Sequence, residues 1–112
     1  MNVIKNLLIP GLLTLGLAGS AFAAVDEEAA KAIGKRNDCF KCHAVDKTKK
    51  GPSYKKIAAK FKGKADAEDK IMKNLTTGPK VKLEDGTEED HKIIDTKDPK
   101  ELKNLIDWIL SR

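Results

Sequence analysis

Two cysteines in 112 residues, separated by two positions and followed at once by a histidine, constrain this chain more than any other feature of it. They form Cys39-Phe40-Lys41-Cys42-His43, a C-x-x-C-H run, and the chain has one other histidine, His91. Side chains three residues apart share one face of a helical turn. Two thiols so placed can reach both vinyl groups of one haem, with the next residue beneath the iron, and C-x-x-C-H is the pattern of covalent haem attachment. Neutral imidazole is a good iron ligand, and holding it beside the thioether bonds keeps ligation local. Three other uses of these residues fit less well. A thioredoxin-like dithiol needs a strand-helix context that is missing around Cys39. A zinc site of Cys39, Cys42, His43 and His91 would crowd adjacent Cys42 and His43 around a tetrahedral metal. A disulfide across two residues is strained and leaves His43 without a role.

The N-terminus bears on the compartment. A single Lys5 precedes an apolar stretch rich in leucine (Leu7, Leu8, Leu12, Leu13, Leu15, Leu17), and Ala21 and Ala23 flank Phe22. This is the layout of a secretory signal peptide, with cleavage expected after Ala23. Pro10, Gly11, Gly16 and Gly19 interrupt the stretch, and a membrane span needs roughly 20 consecutive apolar residues, so no stable membrane insertion is expected after cleavage. The expected organisation is a signal peptide at 1–23 and one domain at 24–112, located in the periplasm.

Charge is uneven along that domain. Between Lys41 and Lys64 there are nine lysines and one acid, Asp46, whereas Glu84 to Asp90 holds five acids and no base. Nucleic acid is not the expected partner of these lysines, because an exported protein does not meet it and only 4% of residues are aromatic, too few for base-stacking platforms. A face that docks an acidic partner is expected instead.

Periodicity predicts an all-helical fold. Asp26 can cap a first helix reaching about Asn37, with Ala29, Ala30, Ala32 and Ile33 as its apolar stripe and Gly34 allowing close packing against another helix. Gly51-Pro52 marks a loop. Tyr54, Ile57, Ala58 and Phe61 describe a second helix from Tyr54 to Lys60, and Ala67, Ile71 and Leu75 a third from Asp66 to Leu75, stopped by Gly78-Pro79. Lys80 to Asp98 reads as a long polar loop containing His91, and loops of that length in compact domains are usually functional or disordered. Pro99 to Ser111 is the strongest helix, with Leu102, Leu105, Ile106, Ile109 and Leu110 on one face and Trp108 beside it.

Taken together, these features resemble the small bacterial class I monohaem cytochromes c. The resemblance rests on Cys39 to His43 at the end of a first helix, on Gly51-Pro52, on the lysine-rich helix from Tyr54, and on the terminal helix with Trp108. It implies a fold of four to five short helices wrapped around one covalently attached haem c, with the first and last helices crossing near Gly34. It also implies that the Pro52 carbonyl accepts a hydrogen bond from the proximal imidazole of His43, which fixes the tautomer.

The family usually places a distal methionine in a loop about twenty residues before the C-terminus, and this chain has none there. His91 stands in that place and is the expected second iron ligand, with Met72 and an open sixth site as the alternatives. The implied function is a one-electron carrier between redox partner proteins, docking an acidic surface on the Lys41 to Lys64 face, and not an enzyme. The alternative is a haem-based sensor or binding protein for a small ligand, which needs an open or labile sixth site.

Overall fold

Five helices and one short hairpin follow one another in a computed structural model that describes Gly11 and residues 24–112. The expected signal peptide, residues 1–23, lies outside the described residues apart from Gly11. The order is α1 (Glu27–Arg36), α2 (Cys39–Cys42), α3 (Tyr54–Phe61), α4 (Ala67–Thr77), β1 (Lys80–Lys82), β2 (Glu88–Asp90) and α5 (Pro99–Leu110). No helix among the described residues is long and apolar enough to cross a membrane.

Local signals set the helix ends. Asp26, Ser53 and Asp98 each accept a hydrogen bond from the first turn of α1, α3 and α5, from the N–H groups of Ala29, Lys56 and Lys100. Each satisfies an amide that a helix start otherwise leaves orphaned. Gly78 closes α4 in the left-handed region, at φ +59°, where the missing Cβ removes the steric cost.

α5 is the element on which the others pack. It buries Leu102, Leu105, Ile106, Trp108 and Ile109, and α1, α3 and α4 all lie against it. Ala30 and Ile33 come from α1, Tyr54 from α3, Ile71 and Leu75 from α4, and Ile94 from the segment after the hairpin. Trp108 is fully buried, with its ring edge-on to Tyr54 at 5.3 Å and to Phe40 at 6.3 Å. It is therefore a core residue that joins α5 to both α2 and α3.

Two expectations are corrected. The cysteine motif does not sit at the end of the first helix. α1 stops at Arg36, Asp38 takes a left-handed backbone at φ 59°, and Cys39 to Cys42 form a turn of their own. The helix that Gly34 lets lie close to α1 is α2, because a Cβ there would meet the Phe40 ring at 2.9 Å. The polar stretch after Pro79 is not one continuous loop, since β1 and β2 pair antiparallel with Lys80 opposite Asp90 and Lys82 opposite Glu88. Opposite charges face each other across the ladder, Lys80 Nζ lies 3.4 Å from Asp90, and Gly86 at φ +87° serves the turn.

The hairpin is followed by a polar tie back to α1. Arg36 forks onto Asp95 at 2.8 and 3.1 Å, and Asn37 Nδ2 donates to Asp95 at 3.0 Å. These bonds hold the Asp95 carboxyl down at about 2, the Arg36 guanidinium contributing most and the Asn37 amide next. An unfolded aspartate titrates near 3.9, so the tie is fully present above about pH 4 and is lost as pH falls through about 2. The thermal midpoint of Asp95→Asn should lie below that of the wild type at pH 7, and the gap should close on acidification from pH 5 to pH 2. A gap that stays constant over that range would show that Asp95 is not the group lost in acid.

Candidate functional site

The site is built on α2. Its backbone closes one turn, with the His43 N–H donating to the Cys39 carbonyl at 2.9 Å. Cys39 and Cys42 are both free and half-buried. Burial pushes the Cys39 thiol above its ordinary value. Phe40, between them, points inward against Tyr54 at 6.0 Å and Trp108 at 6.3 Å.

The loop after the motif wraps back over it. The Gly51 N–H donates to the Cys42 carbonyl at 2.8 Å, and His43 Nδ1 lies 2.6 Å from the Pro52 carbonyl oxygen. A Cβ on Gly51 would come within 2.9 Å of His43 Cε1, so only glycine lets the loop lie so close to the ring. A carbonyl oxygen can only accept, so Nδ1 of His43 carries the proton and Nε2 keeps the lone pair. Burial lowers the His43 pKa; the bond to Pro52 opposes that in part, and nearby His91 adds to it. The imidazole is thereby kept neutral, which is the ligating form.

Tyr54 was legible only as an apolar helix position. In the fold it is buried and stacks on the His43 ring, with centroids 5.1 Å apart and planes 25° from parallel. Burial drives its phenol well above the usual range, and contact with Cys39 acts in the same direction.

His91 follows β2 and is half-buried. Its Nδ1 lies 2.9 Å from the Lys92 carbonyl oxygen, so this ring is also an Nδ1–H tautomer with a free Nε2. The centroids of His43 and His91 are 6.3 Å apart. Two imidazoles bound on opposite sides of one metal, through bonds of about 2.0 to 2.1 Å, have ring centres about 6 to 6.5 Å apart. Met72 is on α4, half-buried and packed against the hydrophobic core. All nine lysines from Lys41 to Lys64 are exposed, and the Glu84 N–H donates to the Lys50 carbonyl at 3.1 Å, which sets the start of the acidic turn beside the lysine-rich loop.

A helical turn carrying two free thiols, a neutral imidazole clamped by a proline carbonyl, and helices converging on a terminal helix define a small class I monohaem cytochrome c. The cytochrome c family model matches residues 27–112, and the chain belongs to that family. It is similar to the class 1 cytochrome MtoD of Sideroxydans lithotrophicus ES-1, at 58% identity and a TM-score of 0.75, over 79% of this chain and 97% of that one. Cytochrome c-551 of Pseudomonas aeruginosa is 38% identical over 73 residues, which are 65% of this chain and 64% of the relative, just under two thirds of its length. Cytochrome c-552 of Hydrogenobacter thermophilus is 33% identical over 97 residues, 87% of this chain and 89% of the relative. Small members of the family are electron carriers rather than enzymes. They bind one covalently attached haem c through C-x-x-C-H, which Cys39, Cys42 and His43 fit.

Protein matured with haem-attachment machinery should keep its haem through acid extraction, as read by mass spectrometry, and should have no alkylatable thiol. Cys39→Ser or Cys42→Ser should leave a single thioether, and replacing both should release all haem into the acid solvent. Two alkylatable thiols in the coloured wild-type protein would refute the attachment.

Proposed function

We propose that this protein is a soluble periplasmic one-electron carrier whose iron is held between His43 and His91. The 6.3 Å separation of the two rings, each with Nδ1 tied to a backbone carbonyl, carries the reading. Haem c supplies reversible one-electron iron chemistry when bound. Cys39 and Cys42 would anchor it, and His43, oriented by Pro52, and His91 would ligate its iron. The Nδ1–H donations to Pro52 and Lys92 raise the basicity of both free nitrogens and fix how the rings face the metal. Tyr54, buried beside the motif, covers one face of the half-buried His43 ring. A ligand sensor needs an open sixth site, and a His91 ring 6.3 Å from His43 supports the carrier reading over that one. The periplasmic assignment rests on the signal-like pattern of residues 1–23.

Exposed lysines between Lys41 and Lys64 would steer an acidic redox partner and raise the encounter rate. Screening shortens to about 10 Å at 0.1 M salt, so electron transfer with an acidic partner should slow as salt rises. A rate that is flat or rises with salt would remove these lysines from the docking surface.

Imidazole in place of thioether favours the ferric state, because methionine ligation raises the potential. Axial ligands move haem potentials over about 0.8 V in all, so the protein should lie on the order of a few tenths of a volt below His/Met relatives. The ferric spectrum should lack the near-infrared sulfur-to-iron band. His91→Ala should give high-spin haem, His91→Met should raise the potential and add the band, and Met72→Ala should change neither. A wild-type protein that shows the band and loses it on Met72→Ala would transfer the distal role to Met72.

A further inference from the structure

The segment 91–95 has one buried apolar anchor, Ile94, yet it is tied down at both ends. At α4, the His91 N–H donates to the Pro79 carbonyl and the Ile94 N–H to the Leu75 carbonyl, both at 2.8 Å. Gly78 permits this approach, since a Cβ there would stand 2.7 Å from the His91 carbonyl oxygen and 2.8 Å from Ile93 Cγ1. At α1, the Asp95 N–H donates to Asn37 Oδ1 at 2.9 Å, and Asn37 Nδ2 donates to Asp95 Oδ1 at 3.0 Å and to the Ile33 carbonyl at 2.9 Å. Asn37 is only 3% exposed, and Arg36 clamps the same carboxylate from outside. Asn37 stands two residues before Cys39, so one side chain joins the segment bearing His91 to the base of the motif turn.

We infer that Asn37 and Asp95 are positioning residues for the distal ligand, holding the His91 segment so that the imidazole stays opposite His43. This rests on the reading of His91 as an iron ligand. An extended chain gains at most about 3.6 Å per residue, so a tie at Asp95 limits how far His91 can swing. A polar segment with so little apolar burial would otherwise belong to the parts of a protein that open most easily. Hydrogen bonds to an ionised carboxylate are among the stronger ones, and Asn37 adds a reciprocal pair to a backbone amide and a carboxylate.

Cyanide binding to the ferric holoprotein reads the opening of the distal side, and it is compared across wild type, Asn37→Ala, His91→Ala and a control. The control is Asn104→Ala, which breaks a similar reciprocal pair far from the site, between Asn104 and the Asp26 backbone at 2.8 and 2.9 Å. Asn37→Ala should remain low-spin at rest but bind cyanide about tenfold faster or more, the loss of hydrogen bonds to a charged group being of that size. Asn104→Ala should lower the melting temperature and leave the cyanide rate at the wild-type value. If Asn37→Ala does not accumulate, Asp95→Ala breaks the same tie at an exposed side chain. Acceleration in both asparagine variants in step with lost stability would overturn the inference, as global opening would explain it. So would an unchanged rate in Asn37→Ala or Asp95→Ala while His91→Ala turns high-spin, and then the ligand reading would stand alone. A low-spin spectrum unchanged by His91→Ala would remove the ligand reading itself.

Discussion

One turn of helix, Cys39 to Cys42, must present two thiols and an imidazole on one side, and the surrounding fold exists to keep that turn from moving. Phe40 is its inward anchor. The ring fills the space that Gly34 leaves open on α1 and meets Tyr54 and Trp108 edge-on. The loop through Gly51 and Pro52 closes over the other side, with hydrogen bonds to Cys42 and His43. Both glycines are therefore structural requirements of the same turn, because a methyl at either would push directly on Phe40 or on His43.

α5 makes this possible in a chain with few aromatic residues. Its five buried side chains gather α1, α3 and α4, and Trp108 carries the contact through to α2 and Tyr54. Around His91 there is little apolar material to do the same. The 91–95 segment contributes Ile94 to the core and relies on backbone hydrogen bonds to α4 and on Asn37, Arg36 and Asp95 for the rest. His43 is thus held mainly by packing, and the His91 segment mainly by hydrogen bonding.

That division also explains what could be read from the sequence. α1, α3, α4 and α5 were legible because capping residues and apolar spacing are local signals, and C-x-x-C-H is a motif with a mechanical reason for its spacing. The hairpin was not legible. Val81 is its one half-buried strand residue and the rest are exposed, so no alternation of apolar and polar residues marks the strands. Its pairing shows only as opposite charges on two strands, and charged residues read equally well as a solvated loop. The separation of α2 from α1 was hidden because it depends on Asp38 adopting a left-handed backbone, which asparagine and aspartate tolerate without announcing it. Asn37 and Asp95 are 58 residues apart and carry no motif, so only the folded chain shows that they meet. Tyr54 was visible as an apolar helix position, but its stacking on His43 depends on how the Gly51 loop returns.

On the proposed reading, the two sides of the iron are chemically alike and mechanically different. Each imidazole donates Nδ1–H to a backbone carbonyl, Pro52 for His43 and Lys92 for His91, and each is left with a free Nε2 of raised basicity. The proximal ring is walled in by Tyr54 and Gly51, and His43 is covalently next to Cys42. The distal ring takes its support from a residue just after it and from hydrogen bonds at Pro79 and Asp95. A carrier that only exchanges electrons benefits from keeping both ligands in place through every cycle, since little then needs to reorganise as the charge changes. Dense packing secures one ligand, and a polar clamp that ends two residues from the motif secures the other.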